Sequence, residues 1–317
     1  MRLGQNPAKY IESVAQPAPV TVTVVSCIPL TSGFYAQSLE VLKTCLSSLR
    51  ENTGRPFDLM VFDNHSCREA RQALVSAFEA GLIQYLVLSD TNIGKIGAWN
   101  FMFGAAQGEY VGFADSDIYF RPGWLESSLE LFDAFPKVGM VTGRPLRTRM
   151  ELSNATLEWS RQPDNHLEEG NFIDWETFHE HESSLGHPES EIRAQYGARK
   201  DLRLSKAGRR AYVGAGHFQF LMRKQVLSQV MPLPSEKPMR GESIIEAQVD
   251  SLGYLRLCTE QPLVVHMGNR VPQWVQPSRE LRRQSPLLRR LLWSPPVRYL
   301  LLGAYSNIFR WYFENVE

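Results

Sequence analysis

Three short stretches of the chain carry side chains suited to chemistry. Asp115-Ser116-Asp117 sets two carboxylates at i and i+2 directly after the apolar run Tyr110-Val-Gly-Phe-Ala114. In extended backbone such positions point the same way, so both can face one ligand. Paired hard oxygen donors suit Mg²⁺ or Mn²⁺, ions often shared with a substrate's phosphates. The ordinary alternative is an Asp pair that caps a turn. Asp63 closes a second apolar run, Phe57-Asp-Leu-Met-Val-Phe62. A carboxylate there can accept from a nucleobase N–H or a ribose hydroxyl, or simply close an Asx-turn over Asp63-Asn-His-Ser66. Asn92-Ile-Gly-Lys-Ile-Gly97 is glycine-rich but has neither GxGxxG spacing nor the Gly-Lys-Ser/Thr ending of a phosphate loop. Within it, Lys95 can neutralise a phosphate.

Those residues need elements that bring them to one place. Val20-Thr-Val-Thr-Val-Val-Ser26 is β-branched almost throughout and predicts a buried strand. Over 36–52, Leu39, Leu42, Leu46 and Leu49 recur at helical spacing. A strand over 57–62, a helix over 69–81, a strand over 83–88, a helix led by Asn92–Asn100 and a strand over 109–114 follow. Strand and helix alternating with short connections predict an α/β fold with a mainly parallel, doubly wound sheet. Ligands of such sheets sit outside the carboxyl ends of the strands, where Asp63 and the Asp115/Asp117 pair both fall.

The rest of the chain divides by composition. Residues 1–19 are a polar lead-in, and 20–146 form the first half of the core. Residues 147–210, rich in Glu, His and Arg, read as a partly helical excursion, a possible lid over an acceptor. Core character returns over 211–269, with a helix from about 223, another over 241–252 and a last strand, Leu263–Val265, ending at His266. The tail, 270–317, carries eight Arg against three Glu, a net of about +5. Its Arg pairs among Leu, Trp, Tyr and Phe over 279–313 suit an interfacial helix on anionic lipid, or a helix pair packed on the core or on a second subunit.

The whole chain has 317 residues, 43 % of them hydrophobic, and a formal net charge of zero. That balance argues against nucleic acid as the main partner. Four cysteines without CxxC spacing fit a reducing compartment and neither a zinc site nor a disulfide framework. There is no apolar leader and no apolar run of 18 residues, so the expectation is a cytoplasmic protein, peripheral at the inner membrane face if the tail binds lipid.

Taken together, these segments resemble family 2-type glycosyltransferases with the GT-A fold. The resemblance runs through about 21–145, and more loosely 211–268. Val22–Ser26, Val61-Phe-Asp-Asn-His-Ser66, Asn92-Ile-Gly94…Asn100 and Gly108-Glu-Tyr-Val-Gly-Phe-Ala-Asp-Ser-Asp117 match in order and spacing, the last at the family's DxD motif. Departures are His65 for a small residue and Trp99 where an Arg commonly precedes Asn100. The resemblance implies a nucleotide-sugar donor, with Asp63 near the base and Asp115 near the ribose and metal. Asn92, Gly94, Lys95, Asn100 and Ser116 complete the donor site, and Asp117 is the direct ligand of Mn²⁺ or Mg²⁺. It also matches Gly241-Glu242-Ser-Ile-Ile-Glu246…Gly253-Tyr254 to an acidic helix start, with Glu242 at the general base and Glu246 as its substitute; the family often has Glu-Asp where this chain has Glu242-Ser243. For both acids the alternative is favourable placement in a helix's first turn. His266 matches a further metal ligand of several relatives, or is a satisfied polar residue beside a strand.

The implied reaction moves a sugar from a nucleoside-diphosphate donor, UDP-sugar favoured, to a hydroxyl of a glycan or other acceptor, with inversion. A catalytically silent nucleotide- or glycan-binding homologue is the rival of another class. A sugar nucleotidyltransferase ranks lower, because Val22–Gly33 has no basic residue for a triphosphate loop. In the excursion, His179-Glu-His181 reads as surface loop ahead of a zinc site, and Trp159, Phe172 and Trp175 as aromatics for an acceptor sugar.

Overall fold

A computed structural model describes residues 6–163, 165–236 and 241–275. The chain divides into two units, Pro17–Ser278 and a second formed by Met1–Gln16 with Arg279–Glu317. Of the second, residues 6–16 are described and hold one 3₁₀ turn, Pro7–Tyr10, opened by the Asn6 side chain accepting from the Ala8 N–H. The basic-aromatic segment 279–313 lies outside the described residues. Among the described residues no helix is long and apolar enough to cross a membrane.

The larger unit begins as the alternation predicts. Strand β1 (Val20–Ser26) leads to α1 (Ser38–Glu51), β2 (Asp58–Asn64), α2 (Arg68–Glu79), β3 (Tyr85–Ser89), α3 (Gly94–Ala105) and β4 (Tyr110–Asp115). β1 is buried on both faces, as its β-branched run requires. Helix α1 turns Val41, Leu42, Cys45, Leu46 and Leu49 inward at i, i+3/i+4 spacing. α3 is apolar nearly all round, and its Trp99 and Phe103 close with Phe113 and Phe220 into an aromatic cluster with centroids 5.1–6.1 Å apart.

After β4 come β5 (Ile118–Phe120), α4 (Trp124–Ala134) and β6 (Val138–Thr142), then α5 (Asn154–Ser160), β7 (His166–Gly170), α6 (Trp175–Ser184), α7 (Glu189–Ala198), β8 (Asp201–Lys206) and β9 (Arg209–Val213). The unit ends with β10 (Gln219–Arg223), α8 (Lys224–Val230), α9 (Ile244–Ser251), β11 (Leu255–Thr259) and β12 (Val264–His266). Among the described residues ten strands form one sheet in the order β3-β2-β1-β4-β10-β6-β11-β9-β8-β7. Pairing is parallel through β3-β2-β1-β4 and between β6 and β11, and antiparallel on both sides of β10 and from β11 outward. Helices cover the sheet on two faces, each over its own core.

The polar stretch 147–210 is laid against this sheet rather than standing off it. β7 and β8 extend the sheet from β9, and Ile173, Phe178, Ile192, Tyr212 and Cys258 give the addition a small core of its own. Its strands were not legible because they are five or six residues long and mostly half-exposed, so little apolar alternation marks them. β11 likewise escaped the periodicity reading, since Arg256 interrupts its apolar run.

Candidate active site

Register alone sets the acids at one rim. On either side of β1, Asp63 lies opposite Ser26 and Asp115 opposite Val25, so the ends of β1, β2 and β4 fall within one residue of each other. β4 then turns at Ser116-Asp117 into β5, which pairs antiparallel with β12 in a separate two-stranded ribbon, His266 facing Ile118. That ribbon fixes the central pair. His266 Nε2 is 3.3 Å from Asp117 Oδ2, and the Met267 N–H donates to the Asp117 carbonyl at 2.8 Å.

Asp117 keeps 27 % of its side-chain exposure, yet its Oδ1 is enclosed and has no hydrogen-bond partner. Burial pushes its carboxyl above the ordinary carboxylate range, while His266 pulls the other way and Asp115 adds to the rise. Asp115 is held by Lys95, whose Nζ lies 2.7 Å from the carboxylate and 5.4 and 5.3 Å from the Trp99 and Phe113 ring centroids. Among the described residues no three His, Cys, Asp or Glu side chains already converge as a metal cluster. The donor set nonetheless fits a hard divalent ion. Two carboxylates and an imidazole line the rim, and the unbonded buried Oδ1 of Asp117 is an oxygen that lacks a partner.

The other expected residues divide between the rim and the scaffold. Asp63 is fully buried; its Oδ2 accepts from Arg71 Nε at 2.9 Å and from the Ser66 N–H at 3.3 Å, so the Asx-turn is present, while its Oδ1 is enclosed and unbonded. Asn92 lies two residues before the start of α3, its Oδ1 accepting from the Gly94 N–H at 2.9 Å and from the Asn64 amide at 3.0 Å. Gly94 begins that helix at φ +76°, a conformation that favours glycine. Asn100 is turned away from the rim. Its amide clamps the Leu233 backbone, donating to the carbonyl at 2.8 Å and accepting from the N–H at 2.9 Å. Ser116 is half-buried in the turn between the two aspartates.

Glu246, in the first turn of α9, has both oxygens occupied: Oε1 accepts from His217 Nδ1 and Oε2 from Arg256 Nη2, each at 2.8 Å. Glu242 lies half-buried in the turn ahead of that helix.

The added segment contributes what sequence reasoning missed. Helix α6 lies against β12, so that Ser184 Oγ shares a 3.0 Å hydrogen bond with His266 Nδ1 and the His181 ring stands 6.3 Å from the His266 ring. His181 is therefore not on a surface loop. It packs on Phe218 with centroids 5.2 Å apart, and burial, with Arg144, His266 and His187 nearby, holds it well below its ordinary value. His179 bonds Glu189 at 2.7 Å instead. Arg144, fully buried, donates to the Thr177 carbonyl and fixes α6 from β6's end. The aromatics expected at an acceptor are largely engaged: Trp159 is buried against Phe135, Phe172 lies under Arg203, and Trp175 under Arg193. Arg256 carried one usable signal, a charged residue inside an otherwise apolar strand, which demands a buried partner.

A doubly covered sheet with acids at its strand ends describes many α/β proteins; comparison narrows it. Residues 34–186 match the family model described as Glycosyl transferase family 2. The segment spans α1 to α6 and includes Asp63, Asp115 and Asp117. The amylovoran biosynthesis glycosyltransferase AmsB of Erwinia amylovora is 33 % identical over 96 residues, 30 % of this chain and 32 % of that one. An uncharacterized glycosyltransferase of Nostoc sp. is 27 % identical over 32 % of this chain and 31 % of its own length. The chain thus spans about a third of the length of these curated relatives. Among solved structures, the mannosyltransferase PcManGT from Pyrobaculum calidifontis, in complex with GDP-Man and Mn²⁺, is 16 % identical with a TM-score of 0.44, covering 78 % of this chain and 56 % of that one. S. aureus TarS 1-349 is 13 % identical with a TM-score of 0.43, covering 76 % and 58 %.

Proposed function

We propose that this chain is a metal-dependent GT-A glycosyltransferase, moving a sugar from a nucleoside-diphosphate donor, UDP-sugar favoured, to a hydroxyl of a glycan or other acceptor. The observation that carries the reading is the meeting of Asp117 and His266 at the strand ends, with one Asp117 oxygen unbonded, beside a family 2 segment. In this reading Asp63 would meet the base and Asp115 the ribose. Lys95 is within reach of a phosphate once it exchanges Asp115 for that anion.

Asp117 and His266, with Asp115, would hold Mn²⁺ or Mg²⁺, which supplies Lewis-acid stabilisation of the charge growing on the departing diphosphate. Inversion by direct displacement is the stereochemical part of the proposal, for which the family resemblance implies Glu242 as base with Glu246 as its substitute. A cytoplasmic setting, peripheral at the inner membrane face if the tail binds lipid, agrees with four free cysteines.

A thermal-shift panel of UDP-, GDP- and dTDP-sugars, each with and without Mn²⁺ or Mg²⁺, tests this reading. Ligand at about 100 times its Kd adds roughly 2.7 kcal/mol, several degrees for a domain of this size. One nucleotide giving a metal-dependent shift, followed by transfer to an acceptor, is the expected result. Metal-dependent binding without turnover would assign a silent homologue, and no shift with any donor would overturn the reading.

A further inference from the structure

Glu246 cannot receive a proton from substrate directly, because its carboxylate is enclosed and doubly bonded: it is 5 % exposed, with His217 on one oxygen and Arg256 on the other. Arg256 is fully buried and also donates to the carbonyls of Leu152 and Ala215, so the guanidinium is fixed behind the carboxylate. The third member of this chain of contacts is the accessible one. The His217 side chain keeps 38 % of its exposure. A carboxylate held by a guanidinium is an acceptor only, so the Nδ1 that meets it carries the ring proton and Nε2 keeps the lone pair.

The position of His217 is as telling as its partners. It sits in the connection between β9 and β10, one residue before Phe218. The Phe218 carbonyl accepts from the Asp115 N–H at 2.9 Å, and the Phe218 ring lies 6.1 Å from the His266 ring. The imidazole is thereby tied to the same strand end as Asp115 and Asp117. Its charged neighbours are Glu246 of α9 and, behind it, Arg256 of β11; His181 of α6 and His266 of β12 lie across Phe218.

We propose that His217 takes the proton of the acceptor hydroxyl, and that Glu246, backed by Arg256, is the positioning residue that fixes its tautomer and orientation. The proposal rests on the transferase reading. The acceptor O–H bond breaks as its proton passes to Nε2, and the oxygen's electron pair forms the bond to the anomeric carbon. The bond from that carbon to the β-phosphate oxygen breaks with its pair left on the nucleoside diphosphate. The imidazolium so formed is balanced by the Glu246 carboxylate and returns its proton to water.

Two measurements on the full chain test this. In ¹⁵N-histidine NMR, the resonance absent from His217→Asn should report an Nδ1–H tautomer, and that tautomer preference should be lost in Glu246→Gln. In transfer assays, His217→Asn should lower kcat by about 10²–10⁴-fold with donor Kd within threefold, and should remove the acidic limb of kcat/KM; Glu246→Gln should move that limb down. Glu242→Gln should leave its position alone. An Nε2–H tautomer, an unchanged limb in His217→Asn, or loss of the limb in Glu242→Gln would each overturn the assignment while leaving the transferase reading intact. Absence of turnover in the unaltered chain with every donor would overturn the transferase reading, and the role of His217 with it.

Discussion

His266 Nε2 stands 3.3 Å from Asp117 Oδ2, although one residue closes the turn after β4 and the other ends the last strand of the core. The contact is made by backbone pairing rather than side-chain attraction, since Met267 N–H donates to the Asp117 carbonyl and His266 is in register with Ile118. The ribbon therefore holds imidazole and carboxylate together whether or not a cation is between them.

Asp117→Asn is the sharpest consequence. The substitution should abolish any metal-dependent nucleotide stabilisation while leaving the unliganded melting temperature unchanged or higher, because it removes charge from an enclosed, unbonded oxygen. Differential scanning fluorimetry with and without Mn²⁺ reads both effects. A large drop in the unliganded melting temperature would mean that Asp117 is structural.

Lys95→Met should act on Asp115. The pair is mostly buried, with the two side chains 14 % and 24 % exposed, so losing the ammonium should cost about 1–2 kcal/mol in denaturant unfolding. It should at the same time tighten the apparent affinity for Mn²⁺ measured by calorimetry, since Asp115 loses its competing cation.

Asn100→Ala separates scaffold from ligand binding. It leaves the Leu233 N–H and carbonyl without their partner and should cost about 1–3 kcal/mol of stability. Donor Kd in the folded variant should stay within threefold; a tenfold loss would return Asn100 to the donor site.

His181 makes stability depend on pH. Its native imidazole is held well below the ordinary 6.5 by burial first, then by Arg144, His266 and His187. The unfolded chain therefore binds a proton that the native chain refuses, and stability falls as pH drops below about 6.5, at a slope approaching 1.4 kcal/mol per pH unit. His181→Gln should flatten the difference curve between about pH 6.5 and 5 in urea titrations. An unaltered slope would refute a neutral native imidazole.

Much was legible because it is local. β-branched runs, helical spacing and short connections make the strands and helices of residues 20–115, and parallel order follows from their alternation. Once that order holds, a two-residue carboxylate spacing after β4 must lie at the strand ends with Asp63, so the acid rim was readable from residue types alone. Asn100 shows the limit of the same reasoning: its place in the motif was visible, but its partner, the Leu233 backbone, belongs to a later connection. Pairing between distant segments was decided only by the tertiary structure. The β5–β12 ribbon brings His266 to Asp117, the added strands carry α6 with His181 and Ser184 onto β12, and β11 drives Arg256 under Glu246, turning a first-turn acid into the support of His217. Periodicity reports which face of an element is buried. Which residue a buried polar group meets is fixed by sheet register and packing, and no stretch of sequence around that group contains it.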